Sequence, residues 1–125
     1  MKRLFFYTAM LLLTSCTTSK FIESDLYFGM ALPDGRQIDS TAWNQFIHKE
    51  ISAVFPDGFT VIPAHGSWKN KQGIVITELS NVVITLHKKS KTLDSRIDSL
   101  KRKYQSAFQQ ESVLRVDIPV KKISF

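Results

Sequence analysis

Four segments with alternating apolar residues, two with apolar residues every three or four positions, and a proline inside the last extended segment predict an α+β fold ordered β-α-β-β-α-β. That order is the split βαβ, or ferredoxin-like, layout: a two-layer sandwich of a four-stranded antiparallel sheet with both helices on one face. It makes the final strand a sheet edge, where Pro119 is tolerated.

The first strand is expected over 25–32, where Leu26, Phe28, Met30 and Leu32 alternate onto one side before Pro33-Asp34-Gly35 turns the chain. A helix over 41–54 carries Trp43, Phe46, Ile47, Ile51 and Val54 on one stripe, with capping oxygens in Asp39-Ser40-Thr41. Phe55-Pro56-Asp57-Gly58 stops it, because proline cannot continue a helix and Asp-Gly favours a turn. Segments 59–69 and 73–88 read as a hairpin around Asn70-Lys71-Gln72, with bulges or twists expected at Gly66 and at Ser80-Asn81. The second helix, over 93–109, lines up Leu93, Ile97, Leu100, Tyr104 and Phe108, with Thr92 as its cap and Asp98 and Arg102 paired on its wet side. The last strand, over 113–125, alternates Leu114, Val116, Ile118 and Val120. On the sheet face without helices, the alternation assigns Tyr27, Val75, Thr77, Val83 and Thr85, enough apolar surface to invite a face-to-face homodimer.

The start of the chain supplies an address. Lys2 and Arg3 precede the uncharged run Leu4 to Leu13, and Leu13-Thr14-Ser15-Cys16 follows as a lipobox. The run is too short to span a bilayer, which takes about 20 residues. Residues 1–15 are therefore expected to be a lipoprotein signal peptide, 16–24 the lipidated Cys16 and a short tether, and 25–125 one domain. Cys16 is the only cysteine, so no internal disulfide is available, and its thiol reads as the lipid attachment point. Thr17 in place of aspartate points to the outer membrane of a bacterial envelope.

The net charge of +6 includes Lys2 and Arg3, which leave with a signal peptide, and no basic-aromatic motif marks nucleic acid as a partner. The basic concentration Lys88, Lys89, Lys91, Lys101, Arg102 and Lys103 reads first as a solvated face and second as a contact for anionic lipid or glycan. His48, His65 and His87 have no HxH or HxxxH spacing, so neither a metal nor another cofactor is expected. The serines sit in no GxSxG elbow. If the hairpin turn is centred between Lys71 and Gln72, His65 faces Glu78 across the strands and Trp68 faces Val75. The candidate ligand site is then Tyr27, His65, Trp68 and Glu78.

The ordered set Leu26-Tyr27-Phe28-Gly29, Pro33-Asp34-Gly35, Trp43, Phe55-Pro56-Asp57-Gly58-Phe59-Thr60-Val61, Gly66-Ser67-Trp68, Glu78 and Glu111-Ser112-Val113-Leu114-Arg115-Val116 resembles a bacterial family of domains of unknown function, many of them lipoproteins. The resemblance covers about residues 25–125, supports export, and brings no activity. The first functional expectation is a lipid-anchored, non-enzymatic envelope module that binds a protein or polymer partner. Two alternatives stay open: a small-molecule binding or sensor lipoprotein, and a dimeric α/β-barrel enzyme using His65 and Glu78.

Overall fold

The computed structural model describes residues 20–125, so the lipobox and Cys16 lie outside the described residues. Strand β1 spans Phe21–Gly29 and starts earlier than its apolar alternation, because pairing with strands on both sides recruits residues 21–24. Helix α1 runs from Ser40–Phe46 through a π-helical stretch at Ile47–Ile51 into Ser52–Val54. Asp39 caps it by accepting from the Thr41 and Ala42 amides at 3.1 and 3.4 Å. The remaining elements are β2 (Thr60–Lys69), β3 (Val75–Lys88), α2 (Lys91–Phe108) and β4 (Leu114–Pro119).

The sheet order is β2-β3-β1-β4, every neighbour antiparallel. With both helices on one side, this is the expected ferredoxin-like sandwich. β4 is an edge strand, and Pro119 ends its regular pairing opposite Ile22. It is shorter than the expected 113–125. Ser90 rather than Thr92 caps α2, its hydroxyl accepting from the Leu93 amide at 3.3 Å. Arg102 donates to the Ser99 hydroxyl at 3.1 Å instead of pairing with Asp98.

The core lies between the helices and one sheet face. Leu26 and Phe28 from β1 and Val83 from β3 are fully buried against Trp43, Phe46 and Ile51 of α1 and Ile97, Leu100 and Tyr104 of α2. The Tyr104 ring meets Phe28, Phe46 and Phe108 with centroids 4.7, 5.1 and 4.8 Å apart. Its hydroxyl donates to the Gly29 carbonyl at 2.7 Å, so the ring buries without an orphaned donor.

The hairpin sets the register differently from the expectation. Asn70 and Ile74 close the loop, the Asn70 side chain accepts from the Gln72 and Ile74 amides at 3.0 and 2.9 Å, and Gly73 takes φ 79°. A left-handed residue closing a three-residue loop is a favoured hairpin connection. It centres the turn on Gln72, pairing Trp68 with Ile76, Gly66 with Glu78 and His65 with Leu79. The expected pairing was one residue out, and a one-residue slip exchanges sheet faces. The ladder runs without a break through Gly66 and through Ser80 and Asn81, so neither expected bulge forms.

The expected open face needs the same correction. Val83 and Thr85 are buried beneath the helices opposite Leu26 and Ser24, and Val75 and Thr77 share their side of β3. Of the five residues expected there, only Tyr27 belongs to the uncovered face. β3 is apolar on both sides, Ile76, Val82, Ile84 and Leu86 alternating with Val75 and Val83, so alternation within it does not choose a face. Beyond Leu79, whose carbonyl accepts from the Met30 amide at 2.8 Å, its backbone pairs with β2 alone, and the turn end of the hairpin projects as a two-stranded arm.

Candidate functional site

The face away from the helices is assembled from one parity of each strand. β1 contributes Glu23, Asp25 and Tyr27, and β4 contributes Leu114, Val116 and Ile118 beside them. β3 contributes Glu78, Val82, Ile84 and Leu86, and β2 contributes Thr60, Ile62 and Trp68. Ile62, Trp68, Leu86, Leu114, Val116 and Ile118 are all exposed, from 39% for Val116 to 57% for Leu114. Exposed apolar side chains gathered on one sheet face are the kind of surface that marks a binding site.

Three acids punctuate this face: Glu23, Asp25 and Glu78. Among its strand positions the one basic residue is Lys88, at the end of β3 opposite Phe21, although the chain carries 17 lysines and arginines against 11 acids. Asp25 is the informative one. It pairs with Ile84 on one side and Val116 on the other, and its Oδ1 is buried with no hydrogen-bond partner among the described residues. Leaving a polar oxygen out of water without a donor costs about 1–3 kcal/mol, so the site is destabilised in the free chain.

Glu78 lies over the backbone of β1. A Cβ at Gly29 would collide with its Oε1, so the glycine makes room for the carboxylate. Burial pushes the Tyr104 hydroxyl well above the usual tyrosine range, and the negative charge of Glu78 adds to that shift. The hydroxyl therefore stays a proton donor to Gly29 at every physiological pH.

Tyr27, Trp68 and Glu78 thus share the open face, as three of the four expected site residues. His65 does not join them. It pairs with Leu79 and lies on the opposite side of the arm, exposed, so the expected His65–Glu78 contact is absent. An acid–base dyad built from those two residues has no geometry here.

The helix side carries a polar knot that sequence reasoning missed. Ser24, fully buried, donates to Asp117 Oδ1 at 2.6 Å and lies 2.8 Å from His87 Nε2. Arg115 bridges Asp117 at 2.8 Å and Asp94 at 2.7 Å, tying β4 to α2. Burial works to raise the Asp117 carboxyl, but hydrogen bonds from Arg115 and Ser24 outweigh it and hold the group below the usual carboxylate range. The His87 ring is held between the Ser24 hydroxyl and the Lys88 carbonyl, which lies 2.9 Å from Nδ1. No local motif foretells this knot, since its members are 63 and 93 residues apart in sequence. Asp25, by contrast, was legible as an acid in alternation with Tyr27.

No group of three metal-ligating side chains occurs among the described residues, and no described helix is long and apolar enough to cross a membrane. His48 is exposed on α1, off the core. Lys103 pairs with Glu50, which separates it from the lysines that follow β3.

The family model for "Protein of unknown function (DUF3574)" matches residues 23–125. No curated protein matches the chain in sequence. Two solved structures are similar in fold: a phage SAM lyase in complex with S-methyl-5'-thioadenosine and a phage SAM lyase in its apo state. The first is 14% identical, covers 85% of this chain and 95% of its own, and has a TM-score of 0.58. The second is also 14% identical, covers 90% and 99%, and has a TM-score of 0.57.

Proposed function

Because the chain belongs to the DUF3574 family, whose function is unknown, we propose its role from its own surface: a lipid-anchored envelope module that binds a partner on its open sheet face. The observation that carries this reading is the unpaired Asp25 oxygen set among exposed apolar side chains. A surface that is apolar and acid-bearing, with its one strand lysine, Lys88, confined to the end of β3, is matched by an occupant bringing apolar side chains and hydrogen-bond donors or positive charge. Stacking the face on its own copy would place Glu23, Asp25 and Glu78 on both sides of the contact, which disfavours the symmetric homodimer. The lipobox at Cys16 supports anchoring at the bilayer, and Thr17 supports the outer membrane.

The test is a photo-crosslinking residue placed in cells at Val116, on the open face, or at Asp98, on the outer side of α2. An adduct at 116 that is absent at 98 and weakened by Asp25→Asn supports the reading. An adduct of twice the chain's mass assigns the face to a second copy instead, and equal labelling at both positions overturns the site. Release from the membrane fraction on Cys16→Ala tests the anchor separately.

A second reading is favoured by the fold shared with a phage lyase bound to S-methyl-5'-thioadenosine and by two rings, Tyr27 and Trp68, beside three acids. In it the face takes a small organic cation such as SAM, with aromatic faces and carboxylates meeting its positive charge. A saturable rise in melting temperature with SAM, lost in Trp68→Ala, would select it.

A further inference from the structure

The sheet gathers lysines at one end. Phe21, the first residue of β1, pairs with Lys88 at the end of β3, and the Lys89 amide donates to the Lys20 carbonyl at 3.1 Å. The Val120 amide donates to the Phe21 carbonyl at 3.1 Å, which brings Lys121 and Lys122 to the same end, and α2 begins there at Lys91. All six of these lysines are exposed, and none forms a salt bridge among the described residues. Of the nearby acids, Asp94 and Asp117 are bound to Arg115, and exposed Asp57 lines the same cleft as Lys88. Exposed Phe125 and half-buried Ile123 border the cleft of about 1040 Å³ that Lys88 also lines.

We propose that this lysine-rich end is a docking surface for an anionic lipid headgroup layer. The proposal rests on the anchored reading for its geometry. Five residue steps separate Cys16 from Phe21, a reach of at most about 18 Å, so an acylated Cys16 would hold this end next to the bilayer. Basic side chains with an exposed aromatic among them are the composition that meets such a surface, and one lipid attachment is reinforced by a polybasic patch. The strands then run away from the membrane. The open face stands upright, accessible from the side, and the arm carrying Trp68 points outward at the far end of β3.

The experiment is amine labelling of the full lipidated chain on vesicles, read lysine by lysine by mass spectrometry. Lys69 and Lys71, at the arm tip, are the internal reference. On phosphatidylcholine–phosphatidylglycerol vesicles, Lys88, Lys89, Lys121 and Lys122 should label several-fold more slowly than on phosphatidylcholine alone. Salt should remove the protection, since the Debye length falls from about 10 Å at 0.1 M to about 3 Å at 1 M. Equal labelling of both ends on anionic vesicles overturns the docking surface. So does equal protection by soluble polyphosphate, which would mean a general polyanion site. The mass of the Cys16 peptide and flotation with vesicles report on the anchor itself. If the anchor fails, the Cys16→Ala chain at high anionic lipid still decides the docking: protection supports it and its absence overturns it.

Discussion

The two faces of one sheet are built from the same strands and alternate residue by residue, yet they do opposite work. The covered face buries Leu26, Phe28 and Val83 completely and satisfies its deep hydroxyls, on Ser24, Thr85 and Tyr104. The open face leaves Ile62, Trp68, Leu114 and Ile118 between 43% and 57% exposed and strands a carboxylate oxygen on Asp25. The first is optimised for folding and the second is not. The open face is therefore the one on which a partner is proposed, because stability and binding make different demands on the same side chain.

The sharpest way to break this comparison is truncation on each side. Phe28→Ala should cost about 3–5 kcal/mol, through lost burial and an unfilled cavity. Val116→Ala and Ile118→Ala should each stay within about 1 kcal/mol. Urea unfolding of the three variants gives the result, and equal losses would mean that the open face is already part of the core.

Next in size is Asp25→Val, expected to stabilise the free chain by about 1 kcal/mol by removing an unpaired buried acceptor while weakening the crosslink at Val116. A destabilised variant would show that Asp25 has a donor and would withdraw it from the site.

Asp117 sharpens the contrast from the covered side. Its carboxyl is held below the usual range in the folded state, so its stabilising contribution is present above about pH 4 and is lost as pH falls through the folded value. Asp117→Asn should lower stability at pH 7 by less than about 1 kcal/mol, since the group is partly exposed. The gap to wild type should close in acid, as read by thermal unfolding across pH. A gap independent of pH would assign the loss to packing.

The smallest effect is expected at Gly29→Ala. The new methyl meets the flexible end of Glu78, so stability should shift by no more than about 0.5 kcal/mol, while the displaced carboxylate alters binding on the open face. A loss comparable to Phe28→Ala would place backbone, not the Glu78 side chain, in the way.

The hairpin explains how far the candidate site was legible. Asn70-Lys71-Gln72-Gly73 was recognisable as a turn, but whether the loop holds an even or an odd number of residues rests on the Asn70 side chain and the left-handed Gly73. That choice moved Glu78 from His65 to Gly66 and put Tyr27, Trp68 and Glu78 on one face. β3 did not correct the error, since it is apolar on both of its sides.

Local periodicity and punctuation determined by themselves the order of elements, the helix stripes with Trp43, Phe46, Ile97, Leu100 and Tyr104, the edge strand with Pro119, and hence the ferredoxin-like sandwich. Each of these is a short-range property of φ/ψ preference and amphipathic spacing, written within one element. Only the tertiary structure decided which side of β3 is buried, where His65 points, that Ser24, His87 and Asp117 meet, and that six lysines gather at one end. Those are questions of register and crossover: the Asn70–Gly73 turn sets the pairing of the hairpin, and contacts between distant segments decide which side of the sheet the helices cover.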